Sequence, residues 1–448
     1  MKPSQAPPLD PPDPGGPPSH APRPPRRPAA AGPDAAARGA DADPRVRREE
    51  ARPSAPGAAP RPLTVMFSNF THVPDLAVPE EAARLRRKVE RDTPWLVSEP
   101  GWRVVFSGLA SGWRGERAAG NLVSRGRWAA TGGRADSVRA WLAHVADGWA
   151  LARGGPLVVM APSAQAGLGA AVLRRLRPRS VRLVVRYQGH SASKEGSHLA
   201  GRLRYRLREA IERFVARTAD LAVPMGGASL ASAIAQGVPA ERCITIPFPV
   251  PWVSRAAVAP LADPPTAVFV GRLSPEKGVS VLLDAWPEVL RKVPGARLRI
   301  VGDGKLREAL EAQAAKLGPD AGVAFTGWVG GDELQAAYQA AWVVVLPSLW
   351  EEGLGMVLVE AGLMGRAVVG SARGGIQDVL EHGRNGYLVP PGDAAALGRA
   401  LAEILASPET ARRFGLEGPA IARGYLEPRD AGIARVHAAF RALLQRPA

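Results

Sequence analysis

A chain of 448 residues, 46% of them hydrophobic, holds enough material for two large domains, and its single cysteine, Cys243, excludes an internal disulfide and any cysteine-rich metal site. No apolar run approaches the ~20 residues of a membrane span, and the start lacks the apolar core of a signal peptide, so a cytoplasmic protein is expected. The formal charge of +16 suits anionic partners, but arginine far outnumbers lysine, a bias that a GC-rich genome also produces, and no zinc-finger spacing, aromatic RNA-binding signature or basic zipper argues for nucleic acid.

Residues 1–61 are rich in proline and nearly free of large apolar side chains, so they form no core and are expected to be disordered. Such strings also arise when GC-rich upstream DNA is read as codons, which puts the expected native start near 63–66. From 62 to 250 strand and helix signals alternate. "LTVMF" (63–67), "PLVVM" (156–160), "VRLVVRY" (181–187), "DLAVP" (220–224) and "CITIP" (243–247) read as strands, the last with a buried Cys243 thiol. Helical spacing runs over 134–153. A second helix, 199–218, places Leu199, Leu203, Leu207, Ile211, Phe214 and Val215 on one face. The stretch 70–128 shows no regular period. Residues 251–265 form a proline-rich linker.

The alternation restarts at 266 and runs to 427. It begins with "TAVFV" (266–270), a helix over 279–292, "ARLRIVG" (296–302), a helix over 305–317 and "GVAFTG" (322–327). A short helix at 332–339, "AWVVVLP" (341–347), a helix bearing Glu360, and "RAVVGS" (366–371) follow. Strands separated by helices imply parallel sheets covered on both faces. The fold class is therefore α/β, with two Rossmann-like doubly wound domains facing a cleft and ligands at the carboxyl ends of the strands. A last helix, within 428–448, is free to cross back to the first domain.

Three loops at strand ends carry the chemistry. "GRLSPEKG" (271–278) joins a strand to a helix. Gly271 permits close backbone approach, while Arg272 and Lys277 supply a fork and a point charge suited to a diphosphate; an ordinary solvated turn has the same composition. "GDGK" (302–305) lacks the Ser/Thr of a full phosphate loop, and Lys305 reads as a surface residue at a helix start. In "EEGLGMVLVE" (351–360) the helix begins near Gly355 or Met356, so Glu352 reaches from the loop and Glu360 from the helix. A carboxylate among apolar residues is costly unless paired or hydrogen-bonded; vicinal ribose hydroxyls would serve Glu360, as would a salt bridge to one of the many arginines, and a charge at the rim of the helix is the other reading. Gly374 and Gly375 open the third loop.

Together "GRLSPEKG", "PSLWEEGLGMVLVEAGLMGRAVVGS" and "GGIQDVLEHGRNGYLVPPGD" resemble the carboxyl-terminal domain of the family-four retaining glycosyltransferases, whose fold is GT-B. The resemblance covers 266–393. It implies transfer of a hexose from a nucleotide-diphosphate sugar, with no metal and no cofactor beyond that donor. Arg272 and Lys277 would hold the diphosphate. Glu352, with the Gly353, Leu354 and Gly355 backbone, would hold the sugar, and Glu360 the ribose. Gly327, Trp328 and Val329 would lie along the base. The chain departs from the family at Gln377 and Asp378, where Pro-Glu is common, and at "PFPVP" (247–251), where Asn-Gly is usual. The glycine-rich loop expected after the first strand is replaced by "SNFTHVPD" (68–75). In "VRYQGHSASK" (185–194) Gln188 or His190 occupies the place of a functional histidine, with a plain loop histidine as the other reading of His190.

The sequence names neither the base, the sugar nor the acceptor, which is a glycan, a lipid or a small metabolite. The arginines of the 199–218 helix are either a solvated face or a peripheral contact with the inner face of a membrane. A sugar-nucleotide epimerase and a non-catalytic nucleotide-sugar-binding protein are the alternatives from other classes.

Overall fold

The computed structural model describes residues 63–67, 73–93, 96, 101–131, 135–187, 199–245, 258–426 and 429–445. The tail 1–61, Gln188 and His190, and "PFPVP" lie outside the described residues.

The first half contains β1 (Leu63–Phe67), α1 (Pro79–Asp92), β2 (Trp102–Ala110), β3 (Gly115–Ala119), β4 (Leu122–Ala129), α2 (Asp136–Gly154), β5 (Leu157–Ala161), α3 (Leu168–Leu176), β6 (Val181–Tyr187), α4 (Leu199–Thr218), β7 (Leu221–Pro224) and α5 (Gly227–Ala235). Its sheet has the order β3-β4-β2-β1-β5-β6-β7 and is parallel except for β3. Strands buried on both faces explain the unbroken apolar run of β5 and the largely apolar β6, which only Arg182 and Arg186 interrupt. One face packs under α2, α3 and α4 through residues such as Met66, Leu173 and Val215. The other packs under α1 through Leu85 and Val89.

The second half contains β8 (Thr266–Val270), α6 (Val279–Lys292), β9 (Arg297–Val301), α7 (Arg307–Ala315), β10 (Val323–Gly327), α8 (Gly331–Ala340), β11 (Val343–Leu346), α9 (Met356–Leu363), β12 (Ala367–Ser371), α10 (Ile376–Val379), β13 (Gly386–Val389), α11 (Ala394–Ala406) and α12 (Pro408–Arg423). Its sheet is wholly parallel, in the order β10-β9-β8-β11-β12-β13. Each sheet is thus doubly wound, as expected. The final helix, α13 (Arg429–Gln445), packs on the first sheet, beside α1. Phe440 stacks on Trp102 with ring centroids 5.4 Å apart. Arg182 Nε of β6 donates to the Leu443 carbonyl at 3.1 Å, satisfying a helix end.

Three expectations are corrected. The described residues of the stretch 70–128 are largely regular, holding α1, β2, β3 and most of β4. "CITIP" is not a strand: among its described residues Cys243 makes one isolated bridge to Ala222, and the thiol is half-buried. The apolar face of α4 is only partly covered. Val215 is buried, whereas Leu203 and Leu207 are 68% and 62% exposed. The covered part of the face is the carboxyl half of the helix, where Ile211, Phe214 and Val215 pack into the core of the first sheet.

Candidate active site

β8 and β11 are neighbours in the second sheet, and the chain leaves them in opposite directions, to β9 on one side and β12 on the other. The crevice beyond their carboxyl ends is the switch point at which such sheets take ligands. After β8 the chain runs through Gly271 and Arg272 into a single 3-10 turn ending at Lys277, and then into α6. After β11 it runs through Ser348 to Glu352 and into α9. The two loops are stitched by the Leu349 N–H donating to the Glu276 carbonyl at 2.8 Å.

Across this switch point Lys277 Nζ donates to Glu352 Oε1 at 2.7 Å. The buried Ser348 hydroxyl donates to the same oxygen. Both charges are largely shielded, with side-chain exposures of 23% and 18%, so the pair is better insulated than a surface bridge. Arg272 is the reverse. Its side chain is 73% exposed, and its nearest acid, Glu276, is 4.0 Å away. An exposed guanidinium beside a fixed ammonium leaves the first free to meet an incoming anion.

These residues wall a cleft of about 440 Å³. Gly271, Arg272, Lys277 and the run from Glu352 to Val357 form one side. Arg186, at the end of β6, and Met225, just after β7, come from the first sheet. Gly355 caps α9 at φ 77°, a conformation that other residues resist, and so lets the helix start inside the cleft wall. Met356 and Val357, the first two residues of the helix, therefore border the cavity with its amino end, an arrangement favourable to an anion.

The remaining expected residues stand apart from the cleft walls. Gly374 and Gly375 buttress the Glu352 loop instead: Gly375 N–H donates to the Glu352 carbonyl at 2.8 Å, and a Cβ on Gly375 would lie 2.4 Å from the Gly353 carbonyl oxygen. Trp328 and Val329 follow β10 at the same sheet edge, two strands from β8, or ~10 Å at ordinary strand spacing. The Trp328 ring is 75% exposed. Lys305 is exposed at the start of α7, as expected.

Glu360 lies one turn into α9, and its partner is not an arginine. The hydroxyl of Tyr338, buried on α8, donates to Glu360 Oε2. Burial pushes the Glu360 carboxyl up to about 7, and the Tyr338 hydrogen bond opposes that rise only in part. Burial likewise raises the Tyr338 phenol. Asp378, which replaces the family's usual residue, bridges the two halves. Its Oδ2 accepts from the Ala228 N–H at 2.9 Å, at the amino end of α5, and Tyr425 donates to its backbone carbonyl.

Arg186, Met225, Ser348 and Tyr338 escaped the sequence reading. Arg186 alone left a signal there, as a charge near the carboxyl end of a largely apolar strand whose other charge, Arg182, is buried. Among the described residues no group of three or more His, Cys, Asp or Glu side chains is placed to hold a metal ion.

Residues 95–249 match the family described as "Glycosyl transferase 4-like domain", and residues 252–420 match "Glycosyl transferases group 1". The chain is similar to a GDP-mannose-dependent alpha-(1-6)-phosphatidylinositol monomannoside mannosyltransferase of Mycolicibacterium smegmatis, 37% identical over 164 residues. That match covers 35% of this chain and 43% of the relative. A sulfoquinovosyl transferase of Arabidopsis thaliana is 36% identical over 156 residues, covering 34% of this chain and 29% of the relative. The chain thus spans less than half the length of these curated relatives. Among solved structures, HepE of Anabaena in complex with UDP and glucose superposes with a TM-score of 0.60 at 18% identity, covering 85% of this chain and 100% of that one. Sucrose-phosphate synthase of Thermosynechococcus elongatus gives a TM-score of 0.60 at 20% identity, covering 86% and 99%. With two doubly wound sheets sharing one cleft, and with both family descriptions matched in order along them, this chain belongs to the family-four glycosyltransferases of GT-B fold.

Proposed function

We propose that this protein transfers a hexose from a nucleotide-diphosphate sugar to an acceptor hydroxyl, with retention of anomeric configuration and without a metal. The observation that carries the reading is the insulated Lys277–Glu352 pair at the switch point, with Arg272 exposed beside it and the start of α9 behind it. Lys277, Arg272 and the α9 amides stabilise the diphosphate as it leaves, the kind of preorganised charge that dominates many rate enhancements. Glu352, held by Lys277 and Ser348, is positioned to accept hydrogen bonds from the sugar hydroxyls. Glu360 serves the ribose, Trp328 and Val329 the base, and Gly374 and Gly375 keep the Glu352 loop in place. Closure of the two halves over the donor excludes water.

The relatives' names point to GDP-mannose for one and to UDP and glucose for another, so the base and sugar are an open choice between these classes. One relative acts on a mannosylated phosphatidylinositol. No described helix is long and apolar enough to cross a membrane. A peripheral contact fits better: the amino half of α4 exposes Leu203 and Leu207 beside Arg206 and Arg208, a pattern suited to an anionic lipid surface at the inner face of a membrane.

The test is substitution at the cations. Arg272→Ala and Lys277→Ala should each lower transfer ~10²-fold or more, with thermal midpoints close to that of the unaltered protein. Chelator should leave turnover unchanged. Near-normal turnover in both variants refutes the assignment. Product analysis completes it: an isomerised sugar formed from donor alone would replace transfer with epimerisation, and a donor left unconsumed across a panel of glycan, lipid and small-metabolite acceptors would replace it with mere binding.

A further inference from the structure

We propose that Asp378 is a positioning residue that clasps the two halves across the donor cleft, by supplying from the second half the helix cap that α5 of the first half lacks. The clasp is read from the contacts themselves; its effect on the donor rests on the transferase reading above.

The residue that opens α5, Gly226, has no side chain with which to cap the helix. Ser229, further into the first turn, reaches back: its Oγ accepts from the Met225 and Gly226 N–H groups, each at 2.9 Å. That fixes the turn after β7 but leaves the Ala228 N–H, which the helix itself cannot satisfy, to find an acceptor elsewhere. Asp378 Oδ2 is that acceptor, at 2.9 Å and 150 residues along the chain. A carboxylate at a helix amino end also stands where the helix dipole favours negative charge. The approach depends on both glycines. A Cβ on Gly227 would lie 3.0 Å from Asp378 Oδ1, and one on Gly226 would lie 2.9 Å from Asp378 Oδ2 and 2.7 Å from Leu354 Cδ1. Met225, the residue before them, packs against the second-half core that includes Leu354 and Ile376. A polar bond and an apolar contact therefore join the halves side by side.

The clasp is tied to the donor site on both sides of the cleft. On the first half, Met225 is itself part of the cleft wall. On the second, Asp378 lies in α10, a single turn secured by the Tyr425 hydroxyl, which donates to the Asp378 carbonyl. The same turn follows directly on Gly375, whose N–H donates to the Glu352 carbonyl at 2.8 Å. The side chain that caps α5 and the bond that seats the Glu352 loop thus belong to one short turn. With the clasp made, Met225 and Glu352 face the cleft at a fixed spacing. Without it, α5 is free to withdraw, the cleft widens at Met225, and the Glu352 loop loses a brace. A nucleoside diphosphate, met by Arg272 and Lys277 of the second half alone, does not need the clasp; a sugar met by Glu352 does.

The experiment is hydrogen exchange of the full chain, read at single amides, in three variants. Asp378→Ala should speed exchange at the Ala228 amide ~10-fold, the loss expected of a missing helix cap. Asp378→Asn keeps an acceptor oxygen of the same reach and should restore most of that protection. Gly226→Ala/Gly227→Ala crowds the carboxylate from the first half and leaves α10 unaltered. It should speed exchange several-fold at the Gly375 amide, in the other half, which local damage around Asp378 does not explain. Unchanged exchange at Ala228 in Asp378→Ala, or at Gly375 in the glycine variant, overturns the proposal. Calorimetry with UDP, GDP, UDP-glucose and GDP-mannose reads the consequence for the donor. Asp378→Ala should weaken the sugar nucleotide that binds ~5-fold or more and its nucleoside diphosphate under ~2-fold, a split that general destabilisation does not produce. Equal weakening of the two, or none, overturns the link to Glu352. If none of the four binds the unaltered protein, the donor reading fails, while exchange at Ala228 and Gly375 still decides the clasp.

Discussion

Glu360 makes the sharpest demand on its surroundings. Its carboxyl sits near 7 in the folded protein, against an ordinary 4.5. Because the folded value is raised, the stabilising contribution is complete below pH 4.5 and is lost as the pH climbs through 7. The full swing is about 3 kcal/mol. Glu360→Gln keeps the shape and removes the titration. Urea denaturation at pH 5 and pH 8 should therefore show a smaller pH-dependent loss of stability in the variant; equal losses would remove Glu360 as the source. If ribose hydroxyls donate to this carboxylate, donor binding also lowers its pKa, and calorimetry near pH 6 should detect proton release. The sequence showed a charge out of place at 360. It could not show Tyr338, because a contact between residues 22 apart on two helices appears only once both pack on the sheet.

At the scale of elements, α4 is a helix whose apolar face is covered only in its carboxyl half. Leu203→Ser/Leu207→Ser should cost under ~0.5 kcal/mol of stability, since both side chains are exposed. The same change should cut flotation with phosphatidylglycerol vesicles several-fold at low salt. Unchanged flotation would remove this face as the membrane contact. Legibility of elements follows burial. Strands of the second sheet read clearly because both faces are covered and the runs are apolar. β2 was masked by its own interior: Ser107 is fully buried because its hydroxyl donates to Asp147 at 2.7 Å, a partner 40 residues away. β3 is exposed along most of its length and has no pattern to detect. Asp378 was visible as a departure from the family, but its role depends on α5, which lies 150 residues earlier.

At the scale of the whole molecule, the chain leaves the second sheet and finishes on the first. Val436, Phe440 and Leu443 are each 1% exposed there. Phe440→Ala should cost roughly 3–5 kcal/mol, by lost burial and the cavity left against Trp102. Denaturant unfolding measures this, and a loss below about 1 kcal/mol would show that α13 is dispensable to the first core. Which sheet the last helix joins was not legible. Its apolar positions suit any sheet face, and the choice falls to the one left open beside α1.

This closing of the loop has a bearing on biosynthesis. The ribosome completes the strands of the first sheet long before it makes α13. Until residues 429–445 emerge, the face around Trp102 and Phe106 lacks α13, while the second sheet already has every helix it needs. The nascent chain therefore carries an exposed aromatic patch through most of its translation. The order of maturation runs against the order of synthesis: the half made first is the half finished last.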